Sequence, residues 1–116
     1  IARQLSTVLG EKTSKNTIKR LVVAYEPVWA IGKEAGDAMR PAELRETVIF
    51  IRKTLADILG RKEALRTAIL YGGSVEPENA ASLIAEGGVA GFLVGHASVD
   101  IETFLPILKA TRQGSR

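Results

Sequence analysis

The chain has 116 residues, 46% of them hydrophobic and 25% charged, with a formal net charge of +3, enough to bury one core in one domain or part of one. It has no cysteine, which excludes a disulfide framework and thiolate chemistry, and the lone His96 finds no sequence partners for a metal site, so no metal is expected. The basic residues are spread rather than gathered with aromatics, no apolar run approaches the roughly 20 residues of a membrane span, and there is no signal peptide, so neither nucleic acid nor membrane is expected and a cytoplasmic setting is.

In chain order, IARQLSTVLG reads as the end of a helix without an initiator methionine, which predicts an incomplete protein. Arg3, Lys12, Lys15, Lys19 and Arg20 make the first twenty residues basic, as a solvated helix face and loop would be. LVVAY, residues 21–25, reads as a buried strand, which Pro27 stops immediately after the carboxylate of Glu26. After the irregular EPVWAIGKEAGDAMR, a helix opens at Pro41, a favoured first-turn residue. Leu44, Val48, Ile51, Leu55 and Ile58 form its apolar stripe, with Arg52 and the other charges off it, and Gly60 closes it. TAILY, 67–71, is the second strand, turning through GGSV into the helix PENAASLIAEGG. GFLV, 91–94, is the third, turning through GHASVD into IETFLPILKATRQ, where Pro106 predicts a kink or a late start. No low-complexity linker divides the chain. Apolar strands separated by helices imply an α/β fold, a parallel sheet covered on its faces, either doubly wound or a (β/α) barrel.

In such architectures ligands bind at the carboxyl ends of the strands. YGGSV (71–75) places two glycines and a serine between a strand and a helix N-terminus, where backbone N–H groups and the helix dipole favour an anion. VGHAS (94–98) repeats the arrangement one unit later. βα turns also use glycine for tight geometry alone, and the two readings weigh evenly for either pair. A carboxylate at a neighbouring strand end could act as general base toward a phosphorylated substrate, although a lone Glu is more often a surface or ion-paired group. Ile31, Gly32 and Leu93 could supply apolar cover and one further amide, with packing the stronger expectation for Ile31 and Leu93 and for Trp29. Lys33, Glu34 and Asp37 are expected on a solvated loop.

AYEPVWAIG, YGGSV and GFLVGHASV, in that order, resemble the C-terminal half of the triosephosphate isomerase family. The resemblance implies the C-terminal part, about strand six to helix eight, of a (β/α)8 TIM barrel, with residues 1–116 as a single partial barrel domain of three βα units preceded by the end of a helix. It implies an isomerase of glycolysis and gluconeogenesis that interconverts dihydroxyacetone phosphate and glyceraldehyde 3-phosphate through an enediolate, without cofactor or metal. Its glutamate base falls on Glu26, its lid on Pro27, Val28, Trp29, Ala30, Ile31 and Gly32, and its phosphate-binding amides on Gly32, Ser74, Gly95 and His96. The family's electrophilic histidine, its Asn-x-Lys clamp and most of its homodimer interface belong to the N-terminal half and are not in this chain. Two departures stand out: KEAGDAMR follows the lid glycine where the family has a small Thr-Gly, and His96 stands where it has a second glycine. Another phosphate-binding barrel enzyme, such as an epimerase, synthase or aldolase, would share the two cradles but lack EPVWAIG. A half-barrel that only binds phosphate compounds is the non-enzymatic alternative.

Overall fold

The computed structural model describes residues 1–10, 13–30 and 38–114. Among these residues three strands, β1 (Val22–Tyr25), β2 (Ala68–Tyr71) and β3 (Gly91–Phe92), form one parallel sheet in the order β1-β2-β3. Among the described residues six α-helices accompany them: α1 (Ala2–Val8), α2 (Lys15–Lys19), α3 (Pro41–Leu59), α4 (Arg61–Arg66), α5 (Ala80–Gly87) and α6 (Ile101–Gly114). The fold is α/β, as the alternation of apolar runs and amphipathic helices requires.

The register pairs Val23 with Ile69, Tyr25 with Tyr71, and Tyr71 with Phe92, so these side chains share one face of the sheet. That face carries the core. Ile69 and Tyr71 are fully buried there with Leu44, Ile51 and Leu55 of α3 and Leu83 of α5. Four of the five apolar positions anticipated along α3, Leu44, Val48, Ile51 and Leu55, are buried, and Ile58 is half-buried.

The opposite face corrects the expectation of a sheet covered on both sides. β1 alternates exposed and half-buried residues, and Val22 is 54% exposed. The described helices pack one face of the sheet, and a strand apolar at every position cannot bury its second face without a second layer.

Local chemistry accounts for the remaining boundaries. Gly60 ends α3 at φ 91°, in the left-handed region that disfavours a side chain, and is also the residue from which α4 starts. α4 and α2 were not anticipated. α2 has a legible signal, since the Ser14 hydroxyl accepts from the Thr17 N–H at 3.2 Å. α3 is capped by Arg40, whose N–H donates to Glu43 Oε2 at 3.3 Å while its guanidinium holds Oε1 at 3.0 Å. α6 begins at Ile101 and runs through Pro106, so the late start does not occur. No described helix is long and apolar enough to cross a membrane.

Candidate functional site

β1, β2 and β3 end side by side, and the residues just past their carboxyl ends enclose a cleft of about 330 Å³ lined by Glu26, Gly72–Val75 and Leu93–His96. Pairing continues beyond the regular strands to hold these ends in line: the Gly72 N–H donates to the Tyr25 carbonyl at 2.8 Å and the Leu93 N–H to the Tyr71 carbonyl at 2.9 Å. The three chain segments singled out from sequence therefore meet at one place. Glu26, Ser74, Gly95, His96 and Leu93 all line the cleft. Glu26 itself is exposed, and Leu93 is 41% exposed, so Leu93 is cleft wall rather than core.

The glycine pair after β2 has a steric reason that the sequence did not reveal. A Cβ on Gly72 would stand 2.5 Å from Glu26 Cγ, and one on Gly73 would stand 2.1 Å from Tyr71 Oη. Both distances are shorter than any side chain tolerates, so Gly72 makes room for the carboxylate and Gly73 for a buried ring. Tyr71 is fixed in turn by the Met39 N–H, which donates to its Oη at 3.2 Å. Burial pushes the Tyr71 phenol above its ordinary value, the Met39 hydrogen bond opposes that rise, and Tyr25 adds to it.

The turn after β2 corrects one expectation about the anion cradle. α5 begins at Ala80, several residues beyond Ser74, so no helix N-terminus adjoins the Gly-Gly-Ser turn. Asn79 organises the intervening loop instead: its Oδ1 accepts from the Glu76 N–H at 2.8 Å and its Nδ2 donates to the Ser74 carbonyl at 2.9 Å. Ser74 is buried.

The turn after β3 is a single 3-10 turn over His96–Ser98, braced by Ser98 Oγ and Ser98 N–H on the Gly95 carbonyl at 2.7 and 3.0 Å. No described non-glycine residue has positive φ, so the backbone at His96 accommodates a side chain. The imidazole Nε2 lies 2.6 Å from Glu76 Oε1 on the neighbouring turn, a contact absent from the sequence reading.

Of the residues expected to form a lid, Pro27 is buried beneath a 3-10 turn at Val28–Ala30, while Val28 and Trp29 are 85% and 56% exposed. Neither Pro27, Val28 nor Trp29 lines the cleft, and Trp29 is not the packed anchor expected of it. Ile31, Gly32, Lys33, Glu34 and Asp37 lie outside the described residues.

What the cleft offers chemically is one carboxylate, Glu26, sharing a single space with two glycine-bearing turns. A family model for triosephosphate isomerase matches residues 1–111. The chain is 45% identical to a triosephosphate isomerase of Alkalilimnicola ehrlichii over 112 residues, covering 97% of this chain and 43% of that relative. It is 44% identical to one of Treponema denticola over 105 residues, covering 90% and 41%. It is 50% identical to one of Moorella thermoacetica over 88 residues, covering 76% and 34%. The chain thus spans about two fifths of the length of the first of these relatives.

Proposed function

The chain belongs to the triosephosphate isomerase family, and on that premise we propose that it supplies the base and the phosphate grip of a triose-phosphate isomerase. The observation that carries this reading is that Glu26 and the turns at Gly72–Ser74 and Gly95–His96 line one cleft. The substrate's phosphate sits between the two turns, held by backbone N–H groups of Ser74, Gly95 and His96, with Gly32 adding an amide from the lid. Glu26 then takes a proton from the carbon next to the carbonyl of dihydroxyacetone phosphate. The electron pair of that C–H bond forms the enediolate, and the proton returns to the adjacent carbon to give the aldehyde. Leu93 and the lid from Pro27 to Ile31 keep water away from the intermediate. No cofactor or metal enters this scheme.

The enediolate oxygen still needs preorganised donors, and losing one typically costs about 10²–10³ in rate. In this reading they come from the complementary N-terminal half of the barrel, which residues 1–116, a single partial barrel domain, complete. The working enzyme is a homodimer of the cytoplasm, active in glycolysis and gluconeogenesis.

The test is Glu26→Gln in the whole barrel. Turnover should fall by about 10²–10⁴ while inorganic phosphate still binds, because only the proton-transferring group is lost. A variant within tenfold of the parent would remove Glu26 from the mechanism.

A further inference from the structure

One side-chain pair spans the two turns of the cleft: His96 Nε2 and Glu76 Oε1, 2.6 Å apart. Each partner stands on a braced turn. The Glu76 N–H is tied to Asn79 Oδ1, and Asn79 Nδ2 is tied back to the Ser74 carbonyl, so the carboxylate is anchored to the Gly-Gly-Ser turn. His96 opens the 3-10 turn that Ser98 pins to Gly95, and its own carbonyl accepts from the Val99 N–H at 3.1 Å.

The Glu76 side chain is only 14% exposed, whereas that of His96 is 65% exposed. A carboxylate that far out of water needs compensation, and a short charge-assisted contact to imidazole supplies it. The pair is therefore unlike a loose surface ion pair between two flexible side chains. His96 lines the cleft and Glu76 does not, so the pair ties a residue of the cleft wall to a carboxylate behind it.

We infer that the Glu76–His96 pair is a strut that fixes the spacing between the turn after β2 and the turn after β3, and thereby sets how tightly the cleft grips a phosphate monoester. This rests on reading the cleft as a phosphate site. Two sets of N–H groups carried on separate turns must converge on one tetrahedral anion, and binding suffers when their spacing is free to drift. The pair acts by position, and neither side chain has to touch the phosphate.

The test is a titration with inorganic phosphate, followed by the amide shifts of Gly72–Ser74 and Gly95–Ala97, on the whole-barrel protein. It compares the parent with Glu76→Ala, His96→Ala, the double variant and Glu76→Gln. Each alanine variant should bind phosphate about tenfold more weakly, and the double variant no more weakly than either single one. Glu76→Gln, which can still accept an imidazole N–H, should retain most of the affinity. In turnover, Glu76→Ala should raise KM more than it lowers kcat. If Glu76→Ala does not fold, His96→Ala carries the comparison, because truncating an exposed ring leaves the core intact. Parental affinity in both single variants, or losses that add in the double variant, would overturn the strut while leaving the phosphate site standing. Absence of phosphate binding by the parent would overturn both.

Discussion

The backbone of Gly72 is packed against the side chain of Glu26, so closely that a methyl group there would stand 2.5 Å from Cγ and 3.2 Å from Cδ of the carboxylate arm. Glu26 reaches the cleft by passing over a residue that must have no side chain.

Gly72→Ala and Gly73→Ala should therefore fail in different ways. Glu26 is exposed and can swing aside, so Gly72→Ala should leave the melting temperature within a few degrees and lower kcat in the whole barrel at least tenfold by displacing the base. Gly73→Ala drives a methyl group into the ring of Tyr71, which is fully buried and cannot move away. Overpacking of that kind costs about 1–3 kcal/mol. Denaturant titrations of the two variants separate the cases, and equal stability loss in both would contradict the assignment.

Tyr71 links the site to pH. Burial favours its neutral form in the folded state, so its contribution to stability is fully present below the ordinary tyrosine value of about 10 and is lost as pH climbs through the higher folded-state value. Chemical denaturation from pH 8 to 11 should show stability falling at the alkaline end. Tyr71→Phe should flatten that limb while costing about 1–3 kcal/mol at neutral pH, because the buried Met39 N–H loses its acceptor. An unchanged alkaline limb in the variant would show that another group carries it.

Arg52 should matter for stability out of proportion to its position off the apolar stripe of α3. Its Nη1 donates to the Ala64 carbonyl at 2.5 Å and to the Thr67 carbonyl at 2.9 Å, tying α3 to the end of α4 and the entry of β2. Arg52→Met keeps much of the aliphatic stem and removes both bonds, with an expected loss of about 1.5–3 kcal/mol. A thermal or urea melt indistinguishable from the parent would show that the two carbonyls are equally well served by water.

Residues 1–116 alone should not catalyse the isomerisation. Three parallel strands leave β1 and β3 with open edges among the described residues, and Val99, Ile101 and Leu108 leave apolar surface at 87%, 72% and 48% exposure. Self-association is the expected behaviour in size-exclusion chromatography, with activity recovered only when a complementary N-terminal half is supplied. A monodisperse chain that turned over glyceraldehyde 3-phosphate, and lost that activity with Glu26→Gln, would overturn this.

The strands, the stripe of α3, its glycine stop and the carboxylate at a strand end were legible in the sequence, because each depends on neighbours within a few positions. The spacing of Leu44, Val48, Ile51 and Leu55 is a local periodicity, and it selects the buried face of the helix without reference to any tertiary contact. Long-range geometry decided the rest. That Gly72 clears Glu26, that Met39 caps a phenol, and that Glu76 meets His96 are all contacts between segments far apart in the chain, and Gly73 clears a ring two residues away only because Tyr71 is held in the core. No local pattern encodes them, because a glycine needed for close approach and a glycine needed for a turn are the same letter. The open second face of β1 belongs with these: five apolar residues in a row specify a strand, but only the other elements present determine which of its two faces is covered.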